Sequence, residues 1–442
     1  MLPDLALLEI FRFYLAHPGE WWPEVWTEAW RTLVHVCRKW RNVVFGSPRH
    51  LNLELRCTAI TPVRETIDAW PLLPIHVRGY GHNKWGVDNI IAALEHNDRI
   101  RLLDLDGPPN SQMEKVFAAM QQPFPALENL YLSSDNETEV VPASFLGGSA
   151  PQLQTLTLKS ISFPGLPKLL LSATHLVSLQ LHEVPHSGYF SPEAMAIGLS
   201  ALTSLESLQI KFKSSRSRPD QRRRPPPLTR ALLPALTYFK FIGVSEFLDD
   251  LVARIDAPQL GELDITFFHQ LIFDTPQLTQ FISRTPKFKA CDDAQVQFLD
   301  DHVQVSKADW AVILKISCTQ SDWQLSSLAQ VCGSIFIPPI EHLYILEDKY
   351  NPLSWQDDIE TGQWLEFLHQ LTAVKDLRIS QEFTPRILPT LEELVGGRAT
   401  EVLPALQTLF LEWPLPSGAQ ETVDKFVAAR ELAGRPIAVS YW

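Results

Sequence analysis

The chain has 442 residues, 45% apolar and 20% charged, and its 38 basic and 51 acidic side chains leave a net charge of −13. That balance excludes wholesale disorder, and it excludes a general nucleic-acid binder, which needs a basic face across a folded domain. No run of 18 apolar residues is present to span a membrane as a helix, and 63 Leu beside only 19 Gly point away from glycine-loop nucleotide folds and toward leucine repeats.

Residues 1–48 read as a small helical module. Leu5, Leu8 and Phe11 follow Leu2-Pro3 in a helical apolar pattern. Trp26, Trp30, Leu33, Cys37 and Trp40 then fall at steps of 4, 3, 4 and 3, which predicts one stripe along a single helix. Pro23 suits its first turn, and Gly46 and Pro48 its end. So few residues cannot bury both that stripe and Leu7, Ile10, Phe13, Val36 and Val44, so the module is expected to need a partner. The N-terminus lacks the basic stretch and cleavage site of a secretory signal. Cys37, Cys57, Cys291, Cys318 and Cys332 are scattered without a CxxC pair, as expected of free thiols in the cytoplasm and/or nucleus.

Residues 49–97 read as a linker with capping or first irregular repeats. From residue 98 one pattern recurs, apolar-x-x-apolar-x-apolar, as DRIRLLDL (98–105), PALENLYL (125–132), PQLQTLTL (151–158), THLVSLQL (174–181), TSLESLQI (203–210), PALTYFKF (234–241) and PQLGELDI (258–265). It returns as PPIEHLYI (338–345), TAVKDLRI (372–379) and PALQTLFL (404–411). The first apolar positions of the seven early copies are 27, 26, 23, 29, 31 and 24 residues apart, and those of the three late copies 34 and 32 apart. This is the leucine-rich-repeat pattern: one short strand per turn, alternating in and out, with neighbours stacked because no unit buries its apolar face alone. The expected fold is α/β, with the helical module followed over 98–442 by a curved, irregular leucine-rich-repeat solenoid whose parallel sheet lines the concave face.

Two stretches interrupt the pattern. Within 212–230 lies RSRPDQRRRPPPLTR, where six Arg face one Asp; it holds +5 of charge and leaves −18 on the rest. It reads as a solvated insertion, with nuclear import or protein docking as the alternative use. Residues 286–337 fit the repeat poorly, although WAVILKISC (310–318) followed by SDWQLSSLAQVC (321–332) predicts a strand–helix unit with Asp322 as a cap.

The N-terminal residues carry a resemblance. Leu2-Pro3, Leu7-Leu8-Glu9-Ile10-Phe11 and then Leu33, Val36-Cys37 and Trp40-Arg41 resemble the F-box motif, and the whole chain resembles the expanded fungal F-box proteins with degenerate leucine-rich repeats. The resemblance implies that Leu2, Pro3, Leu7, Leu8, Ile10, Phe11, Val36, Cys37 and Trp40 meet a Skp-type adaptor. Through that adaptor the chain would reach a cullin and its RING partner, as the substrate-recognition subunit of a Skp–cullin–F-box ubiquitin ligase. The alternative is a leucine-rich-repeat scaffold outside ubiquitination.

No chemistry of its own is expected: no enzyme, no cofactor, no metal site. His182-Glu183-Val184-Pro185-His186 matches HExxH by letters, but a zinc site needs both His on one helix face. Here the motif follows a strand, and Pro185 would break a helix. No GxGxxG, GxxxxGK[ST] or GxSxG motif is present.

The target is expected on the outward strand positions. Apart from Tyr131, the early pairs are small and polar: Asn129 and Tyr131, Thr155 and Thr157, Ser178 and Gln180, Ser207 and Gln209. Later copies supply Tyr238 and Lys240, Glu262 and Asp264, His342 and Tyr344, Asp376 and Arg378, and Thr408 and Phe410. Aromatic and Arg residues dominate interface hot spots, so Tyr238, Lys240, His342, Tyr344, Asp376, Arg378 and Phe410 are the candidate contacts for a protein target of unknown identity.

Overall fold

Each copy of the apolar pattern ends in a β-strand whose alternate residues are buried. The structure is a computed structural model that describes residues 2–16, 29–46, 53–69, 72–80, 86–107, 110–134, 140–216, 218, 229–270, 273, 275–288, 292–299, 301–307, 310–318, 325–330, 340–347, 361–394 and 400–442. They form two compact units, Met1–Phe190 with Ile197–Leu205, and Ser191–Ala196 with Glu206–Trp442.

The first unit opens with three helices, Asp4–Ala16, Ala29–Val36 and Arg38–Gly46. The single helix predicted across Leu33, Cys37 and Trp40 is therefore corrected to two. Cys37 stands between them, and its Sγ accepts the Trp40 N–H at 3.4 Å. Cys37 thus caps the following helix at the position where a side-chain acceptor satisfies an orphan N–H. Trp26 lies outside the described residues.

Six parallel strands follow in sequence order: β1 (Leu53–Arg56), β2 (Ile75–Tyr80), β3 (Ile100–Asp106), β4 (Asn129–Ser133), β5 (Thr155–Lys159) and β6 (Ser178–Val184). Repeats thus begin within 49–97, at β1. Returns between strands shorten from the ten-residue helix Asn110–Ala119 to the five-residue helix Leu166–Leu170, which accounts for the uneven spacing in sequence.

The second unit contains β7 (Ser207–Phe212), β8 (Ala231–Leu232), β9 (Tyr238–Gly243), β10 (Ile255–Asp256), β11 (Glu262–Phe267), β12 (Asp293–Phe298), β13 (His302–Lys307), β14 (Val312–Ser317), β15 (His342–Glu347), β16 (Asp376–Ile379), β17 (Thr408–Leu411) and β18 (Ala438–Tyr441). Ten of them run β7-β9-β11-β14-β13-β12-β15-β16-β17-β18, and β8 pairs with β10 apart. The wholly parallel sheet expected is corrected at β13, which runs antiparallel to β12 and β14. Three residues separate β12 from β13 and four separate β13 from β14. A parallel crossover needs about a dozen residues, so intervals this short force antiparallel pairing. Residues 325–330 after β14 are helical as predicted, while Asp322 and most of the loops at 212–230 and 347–362 lie outside the described residues.

The core is the set of inward positions. Leu130 and Leu132, Leu156 and Leu158, Leu179 and Leu181, Leu208 and Ile210, Phe239 and Phe241, Leu343 and Ile345, Leu377 and Ile379, and Leu409 and Leu411 are all 3% exposed or less. In-register stacking, such as Leu156 between Leu130 and Leu179, buries each pair against its neighbours. Truncating one such Leu to Ala is worth ~2–5 kcal/mol.

Candidate functional site

Two surfaces stand out, and the first is the N-terminal helical module. Leu7, Leu8 and Phe11 of the first helix are buried, at 4%, 6% and 0% exposure. Phe11 packs on Trp40 with ring centres 4.7 Å apart, which ties the first helix to the third. Lys39 Nζ donates to the Leu2 carbonyl at 2.7 Å and lies 3.2 Å from Asp4 Oδ1, and Arg41 Nε donates to the Val34 carbonyl at 3.1 Å. Trp40 is half-buried, while Leu2, Pro3, Ile10, Val36 and Cys37 are exposed. The proposed adaptor residues therefore divide into a support set (Leu7, Leu8, Phe11) and an outer set. Leu5 and Phe13 were not singled out as adaptor contacts and belong with the outer set, at 74% and 65% exposure. At 100° per residue, Leu5, Ile10 and Phe13 lie opposite Leu7, Leu8 and Phe11.

The second surface is the outward face of the later strands. Tyr238, Lys240, His342, Tyr344, Asp376, Arg378 and Phe410 all take half-buried positions alternating with buried ones. Register brings them together in rows across β15, β16 and β17: His342 beside Asp376 beside Thr408, and Tyr344 beside Arg378 beside Phe410. His342 Nδ1 lies 2.8 Å from Asp376 Oδ2. The Arg378 guanidinium carbon lies 4.9 Å from the Tyr344 ring centre and 4.6 Å from that of Phe410.

Across β9 and β11, Lys240 is ion-paired with the buried Asp264. Burial works against the Lys240 charge, but the Asp264 hydrogen bond and charge outweigh it and raise the pKa; burial likewise raises that of Tyr238. The register carried through β14, β13 and β12 sets Asp264 in line with Tyr344, but those three strands separate this pair from the β15–β17 rows.

The outward face of β1 to β3 is more charged than the sequence reading anticipated. Arg78 lies 3.9 Å from both Glu54 and Asp104, and Arg56 Nε donates to Glu54 at 3.0 Å. The apolar-x-x-apolar-x-apolar pattern is clear only from residue 98, so β1 and β2 carry no such signal in the sequence.

The HExxH letters fall on β6 and a 3₁₀ turn, not a helix. His182 is a strand residue, Glu183 has φ 53°, Pro185 is extended, and His186 opens the turn His186–Gly188. The two His therefore share no helix face. Asp292, Glu341 and His342 bring possible ligand atoms within 4.8 Å of one another. Glu341 is taken by Lys375 at 2.6 Å and His342 by Asp376.

No protein-family model matches the chain, and no curated protein matches it. Among solved structures, the leucine-rich repeat-containing protein LegL7 from Legionella pneumophila is similar over 87% of this chain and 98% of its own, at 12% identity and a TM-score of 0.30. The leucine-rich-repeat description rests instead on the spacing, burial and register of this chain's own strands.

Proposed function

We propose that the chain is the substrate-recognition subunit of a Skp–cullin–F-box ubiquitin ligase. Its N-terminal helices dock on a Skp-type adaptor, which links it to cullin and the RING subunit. The outward face of the later strands holds a target protein. Such a receptor makes and breaks no bond; it raises the effective concentration of the target beside the ubiquitin-conjugating enzyme.

The observation that carries this reading is the first helix, which buries Leu7, Leu8 and Phe11 on one face and exposes Leu5, Ile10 and Phe13 around Glu9 on the other. One face is covered by the chain's own second and third helices. The other presents Leu5, Ile10 and Phe13, and Leu2 and Val36 are likewise exposed, at 54% and 55%. Large apolar side chains left exposed together on one helix face, with charge among them, mark interaction sites.

Co-expression of the full chain with a Skp-type adaptor tests it. The adaptor and cullin are expected to co-purify, and an Ile10→Glu chain is expected to lose both while keeping its thermal unfolding. Failure of the parent chain to retain adaptor overturns the ligase reading and leaves the repeat scaffold.

A further inference from the structure

Arg378 is the centre of the row formed by Tyr344, Arg378 and Phe410 on β15, β16 and β17. The two rings hold the guanidinium at 4.9 and 4.6 Å. A planar guanidinium stacked in this way keeps its N–H donors at its edge, in the fork that matches a carboxylate. Among the described residues no carboxylate pairs with it. The nearby acids are engaged elsewhere: Asp376 with His342 at 2.8 Å, Glu341 with Lys375 at 2.6 Å, and Glu412 with the Gln381 N–H at 3.0 Å. The cation is thus held in place in advance, its donors unspent, between two apolar surfaces.

We infer that this row docks an acidic side chain of an extended partner segment. One Asp or Glu carboxylate accepts two N–H bonds from Arg378, and apolar residues on either side of it lie against Tyr344 and Phe410. The inference rests on the later-strand face being the target-holding surface. The surrounding charge favours a carboxylate over a phosphate. A phosphate carries close to two charges and is held by clusters of cations, whereas the row neighbours of Arg378 are the two rings and Lys375 is held by Glu341. The carboxylates of Asp376 and Glu341 stand on the same side of the row and repel a second negative charge. A single carboxylate matches the single fork.

The test uses the full chain and three immobilised peptide libraries with Leu and Phe fixed on either side of a central Glu, Gln or phosphoserine. The Glu library is expected to retain the chain about tenfold more strongly than the Gln library, since a charge-assisted bidentate pair is exchanged for a neutral contact. Arg378→Gln is expected to erase that preference. Arg378→Lys, which keeps the charge without the fork, is expected to reduce it. Thermal unfolding of each variant reports folding. Equal retention on Glu and Gln, stronger retention on phosphoserine, no retention on any library, or an undiminished preference in the Arg378→Gln chain each overturns the inference. A Tyr344→Ala, Phe410→Ala chain separates it from the reading beneath. Lost retention without any Glu preference keeps the face and discards the acid, and unchanged retention discards the face itself.

Discussion

The ring of Phe11 meets the indole of Trp40 at 4.7 Å between centres, with planes inclined at 59°. This contact joins helices that are separated in sequence by residues 17–37, and it makes Phe11 the keystone of the N-terminal module. Phe11 is fully buried and Trp40 half-buried. Phe11→Ala is therefore expected to cost ~3–5 kcal/mol, the range for a fully buried aromatic, and Trp40→Ala about 2 kcal/mol. Urea unfolding followed by Trp fluorescence in Phe11→Ala, and by circular dichroism in Trp40→Ala, ranks the two. A larger loss at Trp40 would contradict this packing.

The opposite face of the same helix separates interaction from stability. Ile10 is 47% exposed and Leu5 74%, so Leu5→Gln and Ile10→Gln are each expected to move stability by less than about 0.5 kcal/mol. Adaptor binding, measured by calorimetry with a purified Skp-type protein, is expected to weaken at least about tenfold, the scale set by loss of a buried apolar anchor.

How far the sequence could be read depended on how local the determining physics was. The row Tyr344, Arg378, Phe410 was legible because three copies of one pattern, aligned on their buried Leu and Ile pairs, fix register: slipping one strand by a residue would expose its core pair. The break at Cys37 was not, because a one-residue interruption leaves the 3–4 step of apolar residues almost intact. Nor was the β12–β13 hairpin, where Gln and Val replace the leucines and only the short intervals encode direction, although β14 was legible in WAVILKISC. β18, AVSY, carries no Leu. Arg430 was hidden for another reason. In AAREL it looks like a solvated helical charge, yet it is fully buried and donates from Nη1 and Nη2 to the carbonyls of Leu403 and Leu406 at 3.3 and 3.1 Å. Its partners lie 27 and 24 residues away, beyond any local pattern.

That buried guanidinium makes a measurable demand. Arg430→Ala orphans the Leu406 carbonyl, leaves the Leu403 carbonyl with only the Leu406 N–H, and opens a cavity, and is expected to cost about 3–5 kcal/mol. Arg430→Met refills part of the volume and is expected to cost about 1 kcal/mol less. Denaturant midpoints of the two variants check both the loss and its order.

Thiol reactivity should follow burial. Cys37 is exposed, whereas Cys57 and Cys318 are buried, and burial pushes the Cys57 thiol up to about 12. The thiolate is the reacting form, so at pH 8 Cys57 is almost wholly protonated as well as covered. Iodoacetamide on the native chain, read by peptide mass mapping, is expected to label Cys37 and spare Cys57 and Cys318. All three become labelled in urea. Native labelling of Cys57 at a rate matching Cys37 would contradict its buried place at the end of β1.

His76 gives the first unit a pH dependence of defined sign. It lies on β2 beside Glu54 of β1. Burial lowers its pKa from 6.5 to about 4; the Arg78 charge adds to this, Glu54 opposes it, and Arg101 adds slightly. The folded state therefore binds this proton less readily than the unfolded chain does. Stability from the neutral imidazole is complete above the unfolded pKa of 6.5, declines as pH falls below it, and is exhausted near 4. The full shift corresponds to about 3 kcal/mol, of which about 2 kcal/mol is lost by pH 5. Carboxylates also titrate in acid, so the useful quantity is the difference between the parent chain and His76→Gln, which lacks this proton site but keeps the others. Urea unfolding at pH 7.5 and pH 5 is expected to show the parent losing about 2 kcal/mol more than the variant between the two. Parallel losses in both chains would mean that His76 charges freely in the folded state, and that its position between the β1 and β3 side chains is more open to water than the packing on β2 indicates.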